Sequence, residues 1–421
     1  MKALGGGTVS RGAVDAYPRK ILPRKISLRV SRTNRILGTS IGAGEIPGYL
    51  RRLHLEVRES GPDSFEVMTP TYRVDLTREI DLIEEIARLH GFHRIPVTLP
   101  SGRVAPESKT AMQKGTERAK SLLAAFGFWE VITYSFLSTQ VLRDLNLPPE
   151  DRRATPLRIQ NPLSEDQAVM RTTLIPGLLS SARSNLHRQN LDLKLFELGR
   201  VFFPRQAEEL PEEAASLGGI LCGRREEESW AQGKAECDFF DLKGVLEGLF
   251  EGLGVSGLRF LPAPEVPFLH PGKSAAVWGG EEEIGVLGEV HPGVTERFDL
   301  KGKVFLFELN FEKVVSRMTE RRKFTPLPRY PAVTRDLAVV VDESVAAGDL
   351  LRTLWQADEG WIKEIRLFDL YRGNPVPAGK KSLAFRLTYQ KEDRTLTDRE
   401  VNEFHQKLVE FLTRQYQGTL R

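Results

Sequence analysis

Hydrophobic and polar positions first fall into register at residues 25–30, where KISLRV alternates with the period of two that buries one face of a strand. Before it, residues 1–23 hold no sustained period, and Gly5-Gly6-Gly7 with Pro18 and Pro23 argue for an irregular leader. Residues 31–55 place apolar side chains at mixed helical spacing, and SFEVMTP alternates again until Pro70. A helix is predicted over 78–90, capped by Thr77 and ended by Gly91. Three prolines within residues 95–108 then mark a linker. Beyond it the pattern predicts a helix over 111–126, one strand at WEVITYSFLS (129–138), a helix around 174–186, the strand LKLFELGRVFF (193–203), a helix ending near Gly254, and strands within 275–290 and 304–309.

A second proline-rich boundary, RRKFTPLPRYPAVT at 321–334, precedes a β-α-β-β-α-β order. Its strands are DLAVVVD, WIKEIRLFDLY, KSLAFRLTYQ and a short terminal one, with helices near 346–357 and 398–414. Thr397 and Glu400 form a capping box, Leu396 and Val401 a hydrophobic staple, and Val401, Phe404, Leu408 and Phe411 a buried stripe. That order is the ferredoxin-like sandwich, whose sheet leaves one face free. The chain therefore reads as an α+β multidomain protein: a basic leader at 1–23, a small domain at 24–98, a larger mixed domain at 99–320 and the ferredoxin-like domain at 326–421.

The length of 421 residues agrees, since domains of ~100–200 residues give two to four. No apolar run approaches the ~18 residues of a membrane span, and no signal-peptide stretch opens the chain, so the expected address is cytoplasmic. Net charge is only +3, but nine Lys or Arg stand against Asp15 alone in residues 1–35, leaving the remainder slightly acidic. A basic leader suits RNA phosphates, although exposed tails are also basic merely to stay solvated. Cys222 and Cys237 lack both a C-x-x-C spacing and a histidine pair, which argues against zinc. There is no evident internal repeat or low-complexity tract.

The densest polar cluster lies in PTYRVDLTREIDLIEEIARLHG. Asp75 precedes the helix, while Asp81, Glu84 and Glu85 share one side of it, and hard oxygens at this density suit magnesium. A structural role competes, because acids favour a helix's first turns and Glu84 can pair with Arg88 one turn on. GLGVSGLR, residues 252–259, scans as G-x-G-x-x-G but lacks a preceding strand and following helix, so it reads as a helix C-cap. His270 in FLHPG and His291 in EVHPG have no nucleophile in a recognised motif nearby and read as turn residues. Near the C-terminus, Arg335, Lys380, Lys381, Arg386 and Arg394 alongside Phe385 and Tyr389 combine phosphate-binding and base-stacking chemistry. Residues 326–421 hold 15 Lys or Arg and 14 Asp or Glu, so only a local patch can serve RNA.

The run R-x-D-L-x-x-E-I-D-L-I-E-E-I-A-R-x-x-G-F resembles the signature of the beta chain of bacterial phenylalanine-tRNA ligase. RVSRTNRILGTSI, NPLSEDQAVMRTTLIPGLL and LKLFELGRVFF are similar to further parts of that family, so the resemblance spans about residues 24–421. It implies a small domain with a DNA-binding-like fold, a class II synthetase catalytic-like antiparallel sheet domain and a ferredoxin-like anticodon-binding domain. It implies magnesium on Asp75, Asp81, Glu84 and Glu85, RNA contacts around Arg335, Lys380, Lys381, Arg386 and Tyr389, and assembly with an alpha subunit into an α2β2 heterotetramer that charges tRNA(Phe) using ATP at the alpha subunit. Family beta chains also carry a tRNA-binding oligonucleotide fold and an editing domain ahead of this point, where this chain has only its leader.

Class II synthetases grip ATP with the arginine and acid of a G-x-x-F-R-x-E strand motif. The run here is G-R-V-F-F-P-R, residues 199–205, with Phe203 at the arginine position and Arg205 at the acid position. The chain itself is thus expected to be non-catalytic, with Phe126, Trp129 and Tyr134 as candidates either for the alpha contact or for core packing. A free-standing RNA-binding or regulatory paralogue, and a DNA-binding protein using the first domain, are the competing expectations.

Overall fold

The computed structural model describes residues 2–99, 108–205, 209–226, 228–231, 233–319, 324 and 326–421. The centres of both proline-rich boundaries, residues 100–107 and 321–323 with 325, lie outside the described residues. The chain divides into two compact units, Met1–Glu107 and Ser108–Arg421.

In the first unit a short helix, Lys2–Gly5, is followed by irregular, exposed chain up to Arg24. The alternation in KISLRV becomes the strand Arg24–Arg29, and SFEVMT becomes Ser64–Thr69, its central pairing partner. A third strand, Glu56–Gly61, completes an antiparallel sheet on the far side of Ser64–Thr69; it falls between the two segments read from the pattern and buries only Val57, so it shows no alternation. Helices Val30–Leu37, Ile46–Arg52 and Glu79–His90 close over Leu28, Leu50, Val67, Leu82 and Ile86. The last helix is capped differently from expectation. Arg78, not Thr77, is the N-cap, and the Asp81 carboxylate reaches back to accept from the Thr77 and Arg78 N–H groups at 2.8 and 2.7 Å.

The second unit is built on a seven-stranded sheet in the order Trp129–Glu130, Leu193–Phe203, Glu212–Cys222, Val304–Asn310, Glu282–Val290, Leu269–Gly279, Leu258–Pro262. All neighbours are antiparallel except Trp129–Glu130, which runs parallel to Leu193–Phe203. Helices Ala111–Ala125 and Phe239–Leu253 cover one face through Phe196, Leu217, Leu246 and Phe307; Ile175–His187 covers the other through Leu195, Ile220 and Leu306. Because both faces are covered, Glu212–Cys222 is buried along nearly its whole length and has no alternation to read. Its Gly219 is a packing choice: a Cβ there would stand 2.4 Å from the Phe307 ring.

WEVITYSFLS is not one strand. It breaks into Trp129–Glu130 and Phe136–Leu137, the latter paired with Val169–Met170, because Thr133 between them turns inward to a buried carboxylate. Gly254 caps the helix Phe239–Leu253 in the left-handed region, so GLGVSGLR is a C-cap followed by the strand Leu258–Pro262. His270 and His291 each accept, through Nδ1, an N–H from the glycine two residues later at 3.1 Å, which is a turn role.

Residues 333–420 form a four-stranded antiparallel sheet in the order Ile362–Tyr371, Lys380–Tyr389, Val333–Asp342, Thr419–Leu420, with helices Ala347–Gln356 and Asp398–Tyr416 packed on one face. The capping box is present: Thr397 N–H donates to Glu400 at 3.0 Å, and with the Arg394 guanidinium this holds the Glu400 carboxyl down at about 2. Leu396 and Val401 are both buried. The stripe of that helix is corrected at its end. Leu412 is fully buried and Phe411 is 48% exposed, because a 3.6-residue turn carries the stripe from Leu408 to 412.

Candidate functional site

The four acids of the first unit do not converge. The Arg73 guanidinium lies between two of them, donating to Asp75 at 2.8 Å and to Glu85 at 2.6 Å, and Arg88 pairs with Glu85 rather than Glu84. Hydrogen bonding to Arg73 holds the Asp75 carboxyl below its usual range, and the Thr77 and Arg78 N–H groups do the same for Asp81. Glu84 is exposed and has no side-chain partner among the described residues. As arranged, the acids form an ion-pair and capping network, with the Arg73 cation between Asp75 and Glu85 and Asp81 turned back to the helix start. No group of three or more potential metal ligands gathers among the described residues.

In the second unit, Phe203 closes the strand Leu193–Phe203 with 9% exposure, and the Arg152 guanidinium stacks 3.6 Å over its ring while contacting Glu212 at 3.2 Å. An arginine therefore reaches the neighbourhood from another segment, but it packs on the ring and pairs with an acid. Deeper in, Arg171 and Glu197 form an ion pair at 2.7 Å with side chains only 6% and 3% exposed. Thr133 Oγ1 donates to Glu197 at 2.7 Å, and Arg171 Nε donates to the Arg200 carbonyl at 2.8 Å. Glu308 accepts from Thr173 Oγ1 and the Leu174 N–H, both at 2.7 Å, at the start of the helix Ile175–His187. Sequence reading passed over all of these; the one available signal was a charge, Glu197, inside the apolar run LKLFELG.

Beside this network the edge strand Trp129–Glu130 and the chain that follows it present large apolar side chains to the outside. Trp129 is 76% exposed, Ile132 91% and Tyr134 74%, whereas Phe126 is partly buried and packs against the core. Core packing thus accounts for Phe126 and not for Trp129 or Tyr134.

On the ferredoxin-like sheet the expected RNA residues separate. Tyr389 and Phe385 have no exposed surface; Tyr389 bonds His405 Nδ1 at 2.8 Å, and burial pushes its hydroxyl above the usual range. Neither ring can stack on a base, because both alternate onto the helix-covered face. Lys381 is buried too, donating to the Glu343 carbonyl at 2.7 Å, and Arg335 turns to the helix side to meet Asp398 at 2.6 Å. Lys380 lies 3.9 Å from Asp342, and Arg394 pairs with Glu400. On the open face Arg386 pairs with Asp336 at 2.8 Å and lies 5.0 Å from the Phe368 ring centre. Phe368 is 48% exposed, the aromatic that this face presents in place of Tyr389.

Three matched modules follow one another along the chain. Residues 26–92 match the tRNA synthetase B5 domain, residues 95–311 the phenylalanyl tRNA synthetase beta chain CLM domain, and residues 328–421 the ferredoxin-fold anticodon binding domain. A mixed α+β multidomain chain that ends in an anticodon-binding ferredoxin fold, with two tRNA synthetase domains ahead of it, falls in the class of aminoacyl-tRNA synthetase-related chains. The chain belongs to the phenylalanyl-tRNA synthetase beta chain family. It is 42% identical over 418 residues to the phenylalanine–tRNA ligase beta subunit of Geobacter sulfurreducens, covering 99% of this chain and 52% of that one. The corresponding subunit of Moorella thermoacetica is 42% identical over 421 residues, 100% of this chain and 52% of that one, and that of Syntrophotalea carbinolica 40% over 412 residues, 97% and 51%. The chain thus spans about half the length of these curated relatives. Among solved structures, a pyrrolysyl-tRNA synthetase from Desulfitobacterium hafniense overlaps 50% of this chain and 74% of its own at 15% identity, with a TM-score of 0.39. No helix among the described residues is long and apolar enough to cross a membrane.

Proposed function

We propose that this chain serves as beta-subunit material of a phenylalanine-tRNA ligase: a cytoplasmic, non-catalytic scaffold that binds an alpha subunit and tRNA(Phe) within an α2β2 assembly, ATP being used at the alpha subunit. One observation carries the non-catalytic reading. Where an ATP-gripping strand needs a free arginine followed by an acid, the strand Leu193–Phe203 ends in Phe203, covered by an Arg152 that already has an acidic partner, and Arg205 reverses the charge. Residues 24–98 are read as the DNA-binding-like small domain, 99–320 as the catalytic-like domain, and 326–421 as the anticodon-binding domain, with Arg386 and Phe368 as its contact pair for a splayed base.

Co-expression tests this. A phenylalanine-tRNA ligase alpha chain is expected to co-purify with this chain, and the chain alone to transfer no phenylalanine to tRNA. Charging by the chain alone, or failure of any alpha chain to bind, would overturn the reading. The relatives' shared beta-subunit name favours it over a free-standing RNA-binding or regulatory paralogue.

Magnesium on Asp75, Asp81, Glu84 and Glu85 belongs to the same proposal, supported by the acids' spacing and opposed by Arg73's place between two of them. For those acids to serve as ligands, Arg73 has to leave. Calorimetric titration with magnesium is therefore expected to give weak binding to the chain, tighter binding after Arg73→Ala, and binding weakened about tenfold or more by Asp81→Asn. Equal affinity in all three proteins removes the ion from this cluster.

A further inference from the structure

Arginines near the outer edge of the second unit are mostly spoken for. Arg152 contacts Glu212, Arg153 pairs with Asp151, and Arg171 pairs with Glu197. Arg143 and Arg158 break the pattern: neither makes an ion pair or a side-chain hydrogen bond among the described residues, and both line one cavity of about 310 Å³. The hydroxyls of Thr139 and Thr155 line it as well, equally unpartnered, and no carboxylate does. Leu142 and Val169, 2% and 1% exposed, form its apolar floor.

The surrounding backbone holds this constellation in place. Arg158 is bridged to Val169, with Met170 N–H donating to the Leu157 carbonyl at 2.8 Å and Ile159 N–H to the Ala168 carbonyl at 3.0 Å. Arg143 ends the helix Thr139–Arg143, whose start is capped by Ser138. Two acids close by in the chain are committed elsewhere: Asp144, next to Arg143, accepts from Gln140 Nε2 at 2.9 Å, and Asp151 is held by Arg153.

We propose that this cavity binds a phosphate group, held between the two guanidinium forks and the two hydroxyls. Two unneutralised guanidinium groups on one concave wall repel each other until an anion sits between them, and their planar donor forks fit phosphate oxygens in pairs. An apolar floor keeps water from one side and strengthens the attraction. At the lower end of ligand-pocket sizes, roughly 300 Å³, the cavity has room for a phosphate with its sugar. The phosphate comes from a free nucleotide or from an RNA backbone, which present the same chemistry. The inference does not depend on the ligase reading, since it uses no residue of that argument except as a paired contrast.

Adenosine monophosphate, adenosine and a five-nucleotide single-stranded RNA are the probes, titrated into the full chain by calorimetry at fixed ionic strength. Adenosine monophosphate or the RNA is expected to bind at least about tenfold more tightly than adenosine, and inorganic phosphate to compete. Binding of the RNA alone assigns the phosphate to a backbone; binding of both assigns it to a free nucleotide as well. Arg143→Gln and Arg158→Gln are each expected to weaken binding about tenfold or more while leaving the melting temperature unchanged, both side chains being exposed. If the phosphate-bearing probes bind no better than adenosine, or if the double variant keeps wild-type affinity, the cavity is not a phosphate site. The competition by inorganic phosphate needs no variant and decides the matter even if a substitution impairs folding.

Discussion

Glu197→Ala is expected to destabilise the second unit by about 3–5 kcal/mol, the cost of leaving a buried charge without its partner. Arg171 sits 5% exposed and would keep only the Arg200 carbonyl and Thr133 as acceptors, while Thr133 would lose the carboxylate that turns it inward. Urea denaturation followed by intrinsic fluorescence measures the loss. The double substitution Glu197→Leu with Arg171→Met should recover most of it, because a packed apolar pair carries no desolvation cost. A loss below about 1 kcal/mol in Glu197→Ala would mean that the pair is solvated and that the break in the outer strand has another cause. The prediction bears on function as well, since the bend at Thr133 lies between Trp129–Glu130 and Phe136–Leu137, where Ile132 and Tyr134 are exposed.

Trp129→Ala with Ile132→Ala is expected to weaken association with an alpha chain by at least about 30-fold, the effect of losing an interface anchor worth roughly 2 kcal/mol or more. Side chains 76% and 91% exposed contribute little to the fold, so the variant should unfold like the parent chain. That contrast separates an interface from a core: Phe126→Ala, whose ring packs against Gly248 and the helix Phe239–Leu253, is expected to lower stability instead. Analytical ultracentrifugation of the co-expressed pair reads the first effect and denaturation the second. Retention of full affinity by the double variant would move the proposed alpha contact away from this strand.

Local periodicity carried much of the fold. LKLFELGRVFF is a strand over the same residues as read, Gly254 is a left-handed cap, and the last domain has the expected β-α-β-β-α-β order. Each is a local signal: alternation where one side differs from the other, a glycine where only glycine is unstrained, a capping box within four residues. Glu212–Cys222 was invisible because burial on both faces erases alternation and because Gly218 and Gly219 are there to admit neighbouring side chains rather than to pack side chains of their own.

For the candidate sites the division is the same. Sequence alone determined which residue types were present: the acids Asp75, Asp81, Glu84 and Glu85, the Phe203 and Arg205 at the end of the strand LKLFELGRVFF, and the family that the chain resembles. Only the tertiary structure decided what each group faces. It set Arg73 between two of the acids, turned Tyr389 and Phe385 into the core while leaving Phe368 outside, and brought Arg143 and Arg158, unpartnered among the described residues, to one cavity. The physical reason is that a charge or a ring acquires its role from the partners packed around it, and those partners come from segments far apart in the chain.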